Sequence, residues 1–218
     1  MVLEEDHYYS YNMELKDLAA SHSSIHILEI DLLNFNNYGN LISQISEVVK
    51  DGGLNVLFNN AGFAPKSTRI TTVKLEELMR ALHTNTVVPI MLSKACLPLL
   101  KRASITNKNI AMGVRRAAII NMSSILGSIE ANTDGAIYAY RTSKAALNAA
   151  TKSMSIDLLK DGILCVCLHP GWVRTDMGGD NAPLDVSTSS RMIIEILLKF
   201  NEMNNGGFYQ YDGQKLPW

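Results

Sequence analysis

Hydrophobic positions along this chain alternate between short apolar runs and longer stretches with helical spacing. Ile25-His26-Ile27-Leu28-Glu29-Ile30 alternates and is rich in β-branched residues, which predicts a strand ending at Asp31. From Phe35 the apolar residues Tyr38, Leu41, Ile42, Ile45, Val48 and Val49 share one helical face, and Asp51-Gly52-Gly53 closes that helix. Leu54-Asn55-Val56-Leu57-Phe58 predicts the next strand. Residues 74–101 read as mostly helical, with Pro89 and Pro98 kinking or dividing the run. Ala117-Ala118-Ile119-Ile120, Ile163-Leu164-Cys165-Val166-Cys167-Leu168 and residues 207–211 predict further strands. Helices are predicted from Tyr138 to about Leu159 and from Val186 to Phe200. Met13 to Ala20 suits a short helix, and residues 1–12, acidic and aromatic without period, read as a loosely held arm. Strand and helix in alternation predict one α/β domain over 1–218, a doubly wound parallel sheet in three layers with helices on both faces.

Composition narrows the function. With 218 residues, 47% hydrophobic and 19% charged, the chain is long enough for one full core and reads as an ordinary globular protein. A net charge of -1 offers nothing to nucleic acid or an anionic membrane. No apolar run reaches the ~18 residues of a membrane span, and Met1-Val2-Leu3-Glu4-Glu5-Asp6 lacks the character of a signal peptide. The three cysteines have no metal spacing and read as buried, reduced thiols, so the expected compartment is the cytoplasm.

Candidate chemistry gathers in Tyr138-Ala139-Tyr140-Arg141-Thr142-Ser143-Lys144. Four residues apart on a helix, Tyr140 and Lys144 share one face. A fixed positive charge lowers the pKa of a phenol, which is what a proton donor and acceptor near neutral pH needs. A lone pair of this kind is more often structural. Here three predicted strands end in polar residues: Asn59-Asn60, Ser123-Ser124 and His169. In an open parallel sheet the ligand crevice lies at those carboxyl ends. Residues 172–185 form a polar, glycine-containing loop after Pro170-Gly171, long enough to suggest function.

Asn59-Asn60-Ala61-Gly62, Asn85, Ser124-Ile125-Leu126-Gly127, Tyr140 with Lys144, and Pro170-Gly171 with Thr175 follow the order of motifs in the short-chain dehydrogenase/reductase family. The chain resembles that family from about Met13 to Trp218. More narrowly, NNAGFAPKS, TNTVVPIMLSKACLPLL, AAIINMSSILGSI, YAYRTSKAALNAATKS and LHPGWVRTDMGG resemble Sniffer-type carbonyl reductases and C-factor proteins. The resemblance implies a Rossmann-like fold and NADP-dependent reduction of a small carbonyl substrate (an aldehyde, ketone or quinone), with NAD left open. It implies Tyr140 as general acid, Lys144 as the group that tunes it and holds the ribose, Ser124 as the hydrogen bond to the substrate carbonyl, and Asn85 as the holder of a relay water. Ser123 is the rival to Ser124, which matches the S-x-x-G pattern. The interval from Ser124 to Tyr140 exceeds the usual family spacing, with Glu130 to Asp134 easily looped out.

Cofactor contacts are implied for Asp31, Asn59, Asn60, Ala61, Gly62, Tyr140, Lys144, Pro170, Gly171, Val173 and Thr175. Asn59 and Asn60 also tie strands, and a turn role competes at Asp31. Residues 172–185 would wall the substrate, with Trp172 and Met177 either lining it or joining the core. A homodimer fits the small residues Ala145, Ala146, Ala149 and Ala150, which also suit a core.

One family feature is missing. The T-G-x-x-x-G-x-G turn has no counterpart, since no glycine precedes Gly39, and the sequence reads as truncated at its N-terminus relative to the family. The strand holding that turn would lie beside Val56 to Phe58, so an apolar edge is expected to stay open there unless residues 25–30 close against it. Three readings follow: a working reductase whose missing segment lies upstream; a truncated, inactive product, unable to bind cofactor, that pairs with an intact subunit; and, ranked last, epimerase chemistry with the same Tyr and Lys.

Overall fold

The computed structural model describes residues 5–66 and 69–218, with side chains from Met13 onward. Four strands form one sheet in the order β1 (Val56–Asn59), β2 (Ala118–Met122), β3 (Leu164–His169) and β4 (Phe208–Gln210). Every neighbouring pair is parallel, and Asn59, Asn121, Cys167 and Phe208 stand in register across it. β3 is buried along its whole length, which is why its sequence is continuously apolar rather than alternating.

Helices cover both faces. On one, Ile120, Leu164, Val166 and Leu168 pack with Ile193 and Leu197 of α6 (Val186–Leu197) and with Phe200. On the other, Ile119 and Cys165 pack with Cys96, Leu100 and Ala103 of α4 (Val88–Thr106) and Met154 of α5 (Tyr138–Asp157). α2 (Tyr38–Val49) buries Tyr38 and Leu41 near α4. The three-layer α/β architecture is the predicted one. Cys96, Cys165 and Cys167 are free and buried.

Differences concentrate near the N-terminus. α1 runs from Glu5 to Ser21, so residues 5–12 are helical and extend the predicted Met13–Ala20 helix; residues 1–4 of the expected arm lie outside the described residues. Met13, Leu15 and Leu18 of α1 remain exposed. Residues 25–30 are not a strand. Alternation favours extended backbone, but a strand needs a ladder partner, and among the described residues β1 pairs with β2 alone. Its outer edge is open, and Phe58 is 37% exposed there although its register partner Ile120 is fully buried.

The proline-marked helix divides before Pro89. α3 (Leu75–Leu82) passes through a π-helical turn, His83–Val87, into α4, which continues through Pro98. Pro89 has no N–H to return to Asn85, and the wider turn absorbs that loss.

Candidate active site

At the carboxyl edge of the sheet, β2 leads through Ser123 and Ser124 into a tight 3₁₀ turn, Ile125–Gly127, that lies against α5. Ser124 is the N-cap: its Oγ accepts from Leu126 N at 3.2 Å, which leaves its own proton free to donate. Gly127 permits the contact, since a Cβ there would stand 2.8 Å from the Lys144 carbonyl carbon and Cβ. The Ser124 hydroxyl thereby stands near the Tyr140 phenol, close enough to lower its pKa. Residues 129–135 loop out and are exposed.

Lys144 Nζ lies 5.6 Å from the centroid of the Tyr140 ring and donates to Met122 O at 2.7 Å. Its residue is only 3% exposed, and burial pulls the ammonium down to about 8 against a small opposing effect of Cys167. Tyr140 moves the other way from the sequence-based expectation. Burial raises its pKa above the ordinary 10.0, and Ser124 offsets that in part. Desolvation of the phenolate outweighs the neighbouring ammonium, so the phenol is held protonated.

Asn85 sits in the π turn, fully buried. Its side chain accepts from Phe63 N at 2.7 Å and donates to Phe63 O at 2.8 Å and Ser143 Oγ at 2.9 Å. Both donors are used, and one lone pair of Oδ1 is left. The bonds pin the loop Ala61-Gly62-Phe63 beside Lys144, while Thr86 Oγ1 binds Ser143 O at 2.8 Å to hold the same turn on α5. A Cβ on Gly62 would stand 3.4 Å from Asn85 Oδ1 and 3.7 Å from Lys144 Nζ, so glycine keeps that side of the ammonium open.

Asn59 ties strands: its Nδ2 donates to Asn121 Oδ1 at 2.7 Å, and Asn121 donates on to Thr151 Oγ1 of α5 at 2.8 Å. Asn60 and Ala61 continue from β1, Asn60 exposed. Pro170 and Gly171 follow β3, where Ser189 Oγ donates to Pro170 O at 2.7 Å and Gly171 adopts a φ of +86°. Thr175 lies in a loop bonded to itself: Gly178 N donates to Thr175 Oγ1 at 3.1 Å, and Trp172 Nε1 to Gly178 O at 2.7 Å. Val173 is half-buried and bridges to Leu184 in that loop. Trp172 and Met177 are 57% and 52% exposed, so neither is core.

At Asp31 the structure shows the turn role. With no strand before it, it caps an exposed turn by accepting from Leu33 N at 2.9 Å. His169, at the end of β3, has a buried Nδ1 without a hydrogen-bond partner, and burial lowers its pKa to about 4. Asn121, Ser143, Asn148 and Thr151, buried polar residues of the site's support, were missed as candidates. For Ser143, Asn148 and Thr151 the signal was polar residues at helical spacing after Tyr140, hidden among the alanines of α5, and for Asn121 a polar residue inside an apolar strand.

The set can hydrogen-bond a carbonyl oxygen through Ser124 and deliver a proton from Tyr140. Lys144 spends one of its three N–H groups on Met122 O and turns an open side toward Gly62, which fits the hydroxyls of a ribose. The residues therefore fit the nicotinamide-ribose end of a dinucleotide. Its pyrophosphate end finds no glycine-rich turn among them, and no strand pairs with the outer edge of β1 within the described residues.

Among the described residues no helix is long and apolar enough to cross a membrane, and no cluster of His, Cys, Asp and Glu could hold a metal ion.

The chain is similar to known proteins over most of its length. A family model described as enoyl-(acyl carrier protein) reductase matches residues 7–195. The chain is 40% identical over 167 residues to the C-signal protein of Myxococcus xanthus, covering 77% of this chain and 94% of that protein. Its fold superposes on the carbonyl reductase Sniffer of D. melanogaster with a TM-score of 0.94 at 66% identity, covering 94% of this chain and 83% of that one. An NADPH-bound carbonyl reductase from chicken fatty liver follows with a TM-score of 0.88 at 35% identity, covering 94% and 82%.

Proposed function

The chain belongs to the short-chain dehydrogenase/reductase family of oxidoreductases, and from that premise we propose that it is an NADP-dependent carbonyl reductase with Tyr140 as its general acid. The observation that carries this reading is the meeting of Ser124, Tyr140 and Lys144 at the carboxyl edge of a parallel sheet. Similarity to a carbonyl reductase with bound NADPH supports the choice of cofactor.

Ser124 donates its free proton to the substrate carbonyl oxygen and aims that oxygen at Tyr140. Gly62 and Lys144 would hold the nicotinamide-ribose end of NADPH, which when bound would supply a hydride to the carbonyl carbon. As charge grows on the oxygen, Tyr140 hands over its phenolic proton and becomes a phenolate. A phenol kept protonated by burial is loaded for that step. The nearby Lys144 ammonium then stabilises the phenolate, and the spare lone pair of Asn85 Oδ1 holds the water that returns a proton from solvent. Trp172 and Met177 give the site an apolar wall, which suits aldehydes, ketones and quinones.

Tyr140→Phe is the test. Turnover of NADPH with a carbonyl substrate is expected to vanish while NADPH binding, followed by nucleotide fluorescence, changes by no more than about threefold. Binding lost as severely as rate would refute the catalytic assignment.

The open β1 edge favours a second reading, in which the 218-residue chain by itself binds NADPH weakly, is inactive and pairs with an intact subunit. Fluorescence titration of this chain with NADPH decides it: micromolar binding would sink that reading.

A further inference from the structure

α5 buries a polar row alongside its apolar residues Leu147 and Met154. Tyr140, Lys144, Asn148, Thr151 and Ser155 recur at steps of three and four residues, and the last four are 3%, 3%, 0% and 2% exposed. Buried polar groups destabilise a fold unless they are bonded, and this row is bonded. Lys144 meets Met122 O, and Thr151 meets Asn121.

Asn148 differs in holding two points of one short segment. Its Oδ1 accepts from Ser123 Oγ at 2.6 Å, and its Nδ2 donates to Gly127 O at 3.3 Å. Ser123 and Gly127 bracket Ser124-Ile125-Leu126, the turn that presents the Ser124 hydroxyl. One amide therefore fastens both ends of that turn to the helix carrying Tyr140 and Lys144. It does so one helical turn past Lys144, outside the reach of a reacting carbonyl.

We propose that Asn148 is a positioning residue that sets the Ser124 hydroxyl against the Tyr140 phenol by clamping Ser123 and Gly127. The proposal rests on the reading that Ser124 and Tyr140 carry the proton chemistry. Its geometric core, the clamp, stands apart from turnover. Without the amide the turn loses both fastenings, and the hydroxyl drifts from the phenol by fractions of an ångström that matter for proton transfer.

The test compares Asn148→Ala with Thr151→Val, which removes a buried hydrogen bond on the same helix face but leaves the Ser124 turn untouched. The first readout is the titration of Tyr140 in protein labelled with ¹³Cζ-tyrosine, assigned by its loss in Tyr140→Phe and recorded without nucleotide. Asn148→Ala is expected to move the Tyr140 titration further upward, because the Ser124 hydroxyl that lowers it has moved away. Thr151→Val is expected to leave it in place. The second readout is kinetic: Asn148→Ala lowers kcat by about tenfold or more while KM for NADPH stays within about twofold. Thr151→Val loses thermal stability without that split.

An unshifted Tyr140 titration in folded Asn148→Ala overturns the proposal, as does an equal shift in Thr151→Val. Should Asn148→Ala not fold, Ser123→Ala, which keeps the amide, is expected to shift the same resonance upward, and no shift there overturns the proposal as well. Undiminished turnover in Tyr140→Phe would end the functional reading, and the titration would still judge the clamp.

Discussion

Lys144 is a nearly buried ammonium, and its burial links stability to pH. Its folded pKa of about 8 lies below the ordinary 10.5, so folding disfavours its protonated form. Below about pH 8 the full penalty acts, on the order of 3 kcal/mol, and it fades as pH rises to the unfolded value. Lys144→Met removes the titrating group. The stability of that variant minus that of the wild type is therefore expected to decrease as pH rises from about 8 to 10.5, read from urea melts at several pH values. A flat difference would mean that Lys144 is not desolvated. Sequence showed that Tyr140 and Lys144 share a helix face, but not that burial, rather than the lysine's charge, governs the phenol. Spacing along one helix says nothing about how much water the packed neighbours exclude.

At the level of elements, the site is a contact between α5 and two irregular segments. The Ile125–Gly127 turn and the π turn at His83–Val87 both bond or pack to α5, at Lys144 and at Ser143. Gly127→Ala pushes a Cβ into the backbone of Lys144, a rigid neighbour that cannot yield cheaply. The expected cost is about 1–3 kcal/mol in a thermal or urea melt, with kcat falling as the turn lifts Ser124 away from Tyr140. Asn85 was legible from the motif order, and Pro89 four residues on announced the break it sits in. Its grip on both backbone groups of Phe63 was not legible, since residue 63 lies 22 positions away and only the tertiary fold closes that distance. The same holds for Asn148, whose partners come from β2 and the turn after it.

For the whole molecule the outer edge of β1, which no strand among the described residues covers, is the consequential feature. An unpaired edge with a part-exposed phenylalanine is a template for pairing with another chain. Phe58→Lys is expected to reduce self-association of the 218-residue chain in static light scattering while changing stability by about 0.5 kcal/mol or less. Unchanged scattering would show that the edge is not the sticky surface.

Sequence by itself determined the α/β class, the run of strands from residue 54 onward and the identity of the strand-end residues, because apolar periodicity and motif order are local properties. It also foretold that an edge beside Val56 to Phe58 would be left open. Only the tertiary structure decided that residues 25–30 form no strand and that Asp31 caps an exposed turn. A strand exists through its partner, and a phenol's acidity through the water its surroundings exclude; neither is a property of the residues alone.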